Sequence, residues 1–239
     1  MKIADALPKP ANVLFLDIEN PANLNADFAV MTHFGYAVND GLADVLCASD
    51  TSRWRHDVLD DYTLSAQARK VICAADMLVT WYGSRHDIPF LNSRLLLHRL
   101  QPIPRLPHID LWRTCKYQLK LHSNRLSSAA AFMGLTPKLD VPPITWQRAA
   151  AGHRKSLAIL TERCRTDVEI LRQAYLRLRP LIPNHPNINL AVAVESDNCP
   201  YCGFERCAWR GKHIAPIRRR ERFQCLSCGA YFTRREEPD

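Results

Sequence analysis

Two CxxC pairs near the end of the chain, Cys199-Pro200-Tyr201-Cys202 and Cys225-Leu226-Ser227-Cys228, constrain its folding more than any other feature. Each pair sets two sulfurs on one tight turn, and four thiolates complete the tetrahedral shell of a zinc ion. Gly203 and Gly229 follow the second cysteine of each pair, where the backbone commonly needs positive φ. The 22 residues between the pairs leave room for a β-hairpin. The reading is one structural Zn²⁺ held by Cys199, Cys202, Cys225 and Cys228 in a zinc ribbon over residues 199–235. The other five cysteines, Cys47, Cys73, Cys115, Cys164 and Cys207, are scattered and odd in number. That pattern suits a reducing compartment better than a disulfide framework. A ribbon names a metal and a module, but no reaction.

Charge is concentrated on the same module. Residues 199–235 carry nine of the 32 lysines and arginines and only two acids, Glu205 and Glu221, in a chain of net charge +8. Arg206, Arg210, Lys212, Arg218, Arg219, Arg220 and Arg222 are interleaved with Phe204, Trp209 and Phe223. Cations attract phosphates and aromatic faces stack bases, so these seven residues are the candidate nucleic-acid contacts. A solvated charged surface around self-packed aromatics is the competing account. No apolar stretch is long enough to span a bilayer. The first eight residues lack the apolar core of a signal peptide. The expectation is a cytoplasmic protein of a bacterial or phage-infected cell, with no membrane partner.

The first 180 residues have the pattern of an α/β domain. Val13–Leu16 is a short apolar run of the kind that forms a buried strand. Phe28–Val38 and Leu42–Cys47 read as a strand pair turning at Asn39-Asp40-Gly41. Helical periods cover Leu64–Ala75, Phe90–Leu100 after Pro89, and stretches near 111–121, 125–133, 145–151 and 156–178. Strands at Met77–Trp81 and Ile109 lie between them. Strands first, then strands and helices alternating, then mostly helices, favours a mixed sheet flanked by helices. Residues 181–198, rich in proline and asparagine, read as a linker, with a further strand open over Ile188–Val194.

Acids fall at the ends of the apolar segments. Asp17 and Glu19 close the first strand, and alternation turns both carboxylates to one face. Two acids there are costly to bury unless a cation neutralises them, and a divalent metal does so. Asp87 precedes Pro89 after the second apolar strand. Asp167 lies in a helical stretch whose Val168, Leu171, Tyr175 and Leu178 form an apolar stripe. Asp110 fits two roles, a site acid or the N-cap of the helix from Leu111. Each acid alone is an ordinary surface or capping residue; the ordered set is the signal.

Together these segments resemble the DnaQ-like (DEDD) 3′–5′ exonucleases of RNase H-like fold, nearest those related to family B polymerase proofreading domains. The first motif is Asp17-x-Glu19. The second is Tyr82-Gly83-x-x-His86-Asp87-Ile88-Pro89-Phe90-Leu91, where relatives carry Asn-Gly-x-x-Phe-Asp. The third is Cys164-x-x-Asp167-Val168, and Asn124-Arg125-Leu126 to Gly134-Leu135-x-x-Lys138 is similar to the family's helical connection. The resemblance covers roughly residues 11–180 and excludes the ribbon. It implies that Asp17, Glu19, Asp87 and Asp167 are catalytic and hold two Mg²⁺ or Mn²⁺ ions. It implies hydrolysis of single-stranded nucleic acid from a 3′ end, with DNA the expected substrate ahead of RNA and a replication or repair protein as a further partner.

One departure bears on rate. Relatives carry Tyr or His four or five residues before the last Asp; here those positions hold Arg163 and Glu162. Arginine stays charged and cannot act as a base at neutral pH. His86 and His153 fit structural roles as well as catalytic ones. The alternative is therefore a slowed or inactive exonuclease fold that binds DNA or RNA through its ribbon, or a replication adaptor.

Overall fold

In a computed structural model, residues 11–21, 24–135, 140–192, 197–214 and 219–234 are described. Strand β1 (Val13–Glu19) is central to a five-stranded sheet of order β3-β2-β1-β4-β5. It pairs antiparallel with β2 (His33–Val38), which pairs antiparallel with β3 (Asp44–Cys47). On its other side β1 runs parallel to β4 (Met77–Thr80), and β4 runs parallel to β5 (His108–Asp110). This is the mixed RNase H-like sheet that the sequence pattern and the resemblance predict. Its helices are α1 (Ser52–His56), α2 (Tyr62–Cys73), α3 (Asp87–Leu97), α4 (Leu111–Gln118), α5 (Leu126–Phe132), α6 (Ile144–Ala150) and α7 (Arg154–Leu178).

The two faces of β1 do different jobs. Leu14, Leu16 and Ile18 enter the main core with Phe34, Leu64, Ile72, Leu91 and Leu95. Phe15 lies on the other face, edge-on to Tyr175 of α7 at 5.4 Å. Period-two alternation puts Asp17 and Glu19 on that same face, toward α7. The apolar stripe read for α7 is realised, with Val168, Leu171, Tyr175 and Leu178 all buried. Gly35, opposite Asp17 in the sheet register, admits the helix: a Cβ there would lie 2.6 Å from Cys164 Sγ.

A buried ion cluster ties the other layer. Asp61 receives Arg94 Nε and Nη2 of α3 and the amide of Met31, and His98 Nε2 stands 2.6 Å from it. Residues 28–32, expected as the start of a strand, are irregular, and the Met31 amide is spent on Asp61 rather than on a ladder.

The chain divides into two compact units, Asn12–Tyr175 and a second that takes in the chain from Leu176. In the second, β6 (Cys207–Ile214), β7 (Arg219–Cys225) and β8 (Tyr231–Arg234) form an antiparallel sheet. The segment read as a linker has local structure. Ile188–Val192 is a 3₁₀ turn, not the strand left open for it, and residues 193–194 of that stretch lie outside the described residues. The Ile188 amide bonds Pro200 O, and the His185 ring stacks on Tyr201 at 4.6 Å.

Candidate active site and metal centres

Three of the four acids named by the exonuclease resemblance meet. Asp17 and Glu19 of β1 and Asp167 of α7 offer carboxylate oxygens that all lie within 4.8 Å of one another. Glu19 and Asp167 are buried, and Asp17 is half-exposed. Hard carboxylate oxygens gathered at this spacing fit a hard divalent cation such as Mg²⁺ or Mn²⁺.

The fourth acid is placed differently. Asp87 is the first residue of α3, two residues before Pro89. Its Oδ1 accepts the amide of Ile18 at 3.0 Å, and its carboxylate is not among the clustered three. Burial pushes its carboxyl up to about 7, and the backbone bond to Ile18 counters part of that rise. Asp110 is an N-cap. It accepts from the amides of Trp112, Tyr82 and Ser84 at 3.1, 2.8 and 3.2 Å, and from the Ser84 hydroxyl.

Those bonds fix the turn after β4, where Tyr82 is held at φ 69°. A bulky residue rarely adopts that conformation, at a cost of about 1–3 kcal/mol, whereas asparagine, the relatives' residue, tolerates it. The result is an exposed Tyr82 ring edge-on to Trp112 at 5.0 Å. With Trp81, Asn124 and Arg125, these rings line a cavity of about 740 Å³ that reaches Asp17 and Arg163. A second cavity, about 400 Å³, is lined by Glu19, His86, Trp146, Arg163 and Asp167.

Arg163 rather than Glu162 faces the acids. Its Nε is 3.4 Å from Glu19 Oε1 and its Nη2 is 3.8 Å from Asp167 Oδ2, while Glu162 is exposed and pairs with Arg165. Trp146 of α6 donates its indole N–H to Glu19 Oε2 at 2.6 Å and lies under the Arg163 guanidinium at 4.9 Å. Nothing in the sequence marks Trp146 as a site residue, since a lone aromatic in a helical stretch reads as core. His86 bonds Asn20 Oδ1 at 3.1 Å, and burial lowers its pKa. His153 accepts the Ser156 amide and caps α7.

The four ribbon cysteines also meet, all sulfurs within 4.8 Å of one another. Cys199–Cys228 and Cys202–Cys225 are 3.7 and 3.6 Å apart, close to the ~3.8 Å edge of a tetrahedron with 2.3 Å zinc–sulfur bonds. The two knuckles repeat one pattern. Gly203 and Gly229, both at positive φ, return their amides to the carbonyls of Cys199 and Cys225, and Tyr201 and Ser227 donate to the same cysteines' sulfurs. Contact between sulfurs pushes the Cys199 thiol up and the Cys202 thiol down. A bound cation removes that conflict by stabilising every thiolate. The cluster thus fits a zinc ribbon.

On the ribbon sheet, Trp209, Phe223 and Phe232 stand opposite one another in register, with Arg234 4.2 Å over Phe223. Arg206, Arg210, Lys212, Arg219 and Arg222 are exposed and Arg220 half-exposed. Arg222 is partly committed to the Arg210 carbonyl. Arg218 and Arg235 lie outside the described residues, as does Lys138 of the helical connection.

A family model described as the RNase H superfamily matches residues 14–177. No curated protein matches the chain. Among solved structures, the fold is similar to that of the family B DNA polymerase from the hyperthermophilic archaeon Pyrobaculum calidifontis. The TM-score is 0.56 at 14% identity, over 90% of this chain and 32% of the polymerase. The chain therefore spans about a third of that polymerase's length, and at this identity the likeness is one of fold.

Proposed function

The chain belongs to the RNase H superfamily, and from that premise we propose that it is a metal-dependent 3′–5′ exonuclease that hydrolyses single-stranded nucleic acid, DNA ahead of RNA. The observation that carries this reading is the meeting of Asp17, Glu19 and Asp167 beside a cavity walled by Trp81, Tyr82 and Trp112. Divalent metal bound by such carboxylates supplies a nucleophile at neutral pH and neutralises charge on the leaving oxygen. Asp17, Glu19, Asp87 and Asp167 are the proposed ligands of the divalent metal, and Asp87 also holds the Ile18 amide through Oδ1. The aromatic wall offers faces on which an unpaired base can stack, and Arg125 offers a cation for its phosphate.

The ribbon, with one Zn²⁺ on Cys199, Cys202, Cys225 and Cys228, is the module that holds nucleic acid. Arg206, Arg210, Lys212, Arg219, Arg220 and Arg222 supply charge, and Arg218 belongs to the same proposal by sequence alone. The proposed division is 11–180 for the nuclease domain, 181–198 for the connection and 199–235 for the ribbon. The ion pairs of Arg163 favour one second reading, a slow or inactive nuclease fold that binds nucleic acid.

The test is a gel assay on 5′- and 3′-labelled single- and double-stranded DNA and RNA, with Mg²⁺, Mn²⁺ or EDTA. Stepwise shortening of 5′-labelled single strands, abolished by EDTA, is expected. Asp17→Asn or Asp167→Asn should lower it by several orders of magnitude, since each removes a charged ligand. Equal cleavage by wild type and Asp17→Asn, or none under any condition, transfers support to the second reading.

A further inference from the structure

Residues 199–235 carry five cysteines, and four of them meet at the ribbon's metal centre. The fifth, Cys207, begins β6 and stands directly opposite Cys225 of β7 in the sheet register. Leu226 donates its amide to the Arg206 carbonyl, so that neighbouring pair carries the ladder bond and Cys207/Cys225 is a non-hydrogen-bonded pair. Cα atoms of such a pair stand ~4.5 Å apart, inside the ~4.4–6.8 Å that a disulfide bridges. Residues directly opposite present their side chains to the same face, so both sulfurs lie on one side of the sheet. Cys225 is buried, its sulfur 3.6 Å from that of Cys202. Cys207 is half-exposed, and its thiol donates to the Phe204 carbonyl at 3.8 Å.

We propose that Cys207 and Cys225 are a cross-strand thiol–disulfide pair, a modification site at which hydrogen peroxide takes one sulfur away from the ribbon's metal centre. Cys207 is the ribbon thiol outside the four-sulfur cluster, so it meets an oxidant without first giving up a metal. Its thiolate attacks one peroxide oxygen; the O–O bond breaks, and the sulfenic acid and a hydroxide result. The Cys225 thiolate then attacks the Cys207 sulfur. The S–S bond forms, the S–O bond breaks, and a second hydroxide leaves. Two thiolates and one peroxide thus give one disulfide and two hydroxides. Burial and the Cys225 sulfur raise the Cys207 thiol while Arg234 lowers it, so the reacting thiolate is the minor form at neutral pH and the first step is slow. Three sulfurs then remain where a structural zinc takes four, and the metal is held more weakly. In a reducing compartment such a disulfide is transient and redox-sensing. The pairing rests on the register alone; its effect on the metal rests on the zinc reading.

The experiment treats the full, zinc-loaded chain with hydrogen peroxide, alkylates the remaining thiols and maps disulfides by mass spectrometry, while a chromogenic chelator follows zinc release. The first disulfide should join Cys207 to Cys225, zinc should leave with it, and dithiothreitol should restore both thiols. Cys207→Ser should slow zinc release by on the order of ten-fold, because peroxide must then react with a sulfur already held as a ligand. Cys207→Ala takes its place if Cys207→Ser does not fold. Cys73→Ser, which removes an exposed thiol at the end of α2, should release zinc as wild type does. A first disulfide between two of the four clustered cysteines overturns the inference, as does unslowed zinc release from a folded Cys207 variant. The zinc content of the untreated chain separates the two claims. A chain that holds no zinc yet pairs Cys207 with Cys225 upholds the inference and rejects the zinc reading. A zinc-loaded chain whose Cys207 stays reduced does the reverse.

Discussion

Gly35→Ala is the smallest change that tests how the acid cluster is assembled. In an open strand this substitution is neutral or favourable, because alanine loses less backbone entropy on folding. Here the new methyl would lie 2.6 Å from Cys164 Sγ and 3.0 Å from Val168 Cγ2. Ordinary carbon contacts fall at ~3.5–4.0 Å, so the methyl intrudes by about 1 Å. Cys164 and Val168 are completely buried and flank the turn of α7 that carries Asp167. The helix must therefore lift away from β2, and Asp167 with it. Overpacking of this kind costs about 1–3 kcal/mol, which for a unit of this size is roughly 2–12 °C in Tm. An active group displaced by about 1 Å loses on the order of 10²-fold in rate.

The assays are a thermal melt and Mn²⁺-dependent cleavage of a labelled single strand. The decisive comparison adds Cys164→Ala. Removing Sγ takes away the 2.6 Å clash and leaves the 3.0 and 3.3 Å approaches, so rescue should be partial. A favourable coupling of about 0.5–3 kcal/mol between the two changes is expected. An unchanged Tm and rate for Gly35→Ala, or strictly additive effects in the pair, refutes the claim that this contact seats α7.

Three other outcomes are expected. Chelation of the ribbon metal, or Cys202→Ser, should unfold the three-stranded ribbon, since structural zinc supplies ~10–16 kcal/mol in small modules; bound zinc measured by mass spectrometry checks this, and a zinc-free folded ribbon rejects it. Replacing exposed Arg206 and Arg219 by alanine should weaken single-strand binding and flatten the log–log salt slope by roughly 0.7 for each phosphate no longer neutralised; an unmoved slope excludes a phosphate-binding role for these two arginines. His33 is buried, which lowers its pKa from 6.5 to about 4, so the unfolded chain binds the extra proton between those values. Its stabilising contribution is therefore whole above pH 6.5 and lost as pH falls toward 4, by about 3 kcal/mol at most; denaturant titrations across that range should show the loss, and His33→Gln should flatten it.

What can be read from the sequence follows from where the information is local. The apolar run ending in Asp17 and Glu19 carries its own alternation, so strand, face and acid pair are all legible. The α7 stripe and the cysteine knuckles are equally local, and both are found. Gly35 is silent in the sequence because its role is an approach to Cys164, 129 positions away. Trp146 is silent for the same reason, its partner being Glu19 far earlier in the chain. Phe28–Thr32 and Ile188–Val192 have strand-like composition, but the Met31 amide goes to Asp61 and the Ile188 amide to Pro200 of the first knuckle. Long-range partners override local propensity in both.

Asp87 has a structural task beside the ligand role proposed for it. It sits in the most specific of the three motifs, yet its Oδ1 accepts the amide of Ile18, the residue between Asp17 and Glu19. That peptide lies at the end of β1 that projects past its pairing with β4, which stops at Phe15. On the β4 side, then, Asp87 takes up an amide that the ladder does not. The bond restrains the backbone on both sides of Ile18 and so the directions in which Asp17 and Glu19 point. An uncharged asparagine keeps an acceptor oxygen for that amide, while alanine leaves a buried donor unmet at about 1–3 kcal/mol. Asp87→Asn should therefore keep stability close to wild type, and Asp87→Ala should lose it. Equal loss of Tm by the two variants would refute the part given to the Ile18 bond, and Mn²⁺ titration of Asp87→Asn reads the ligand role separately.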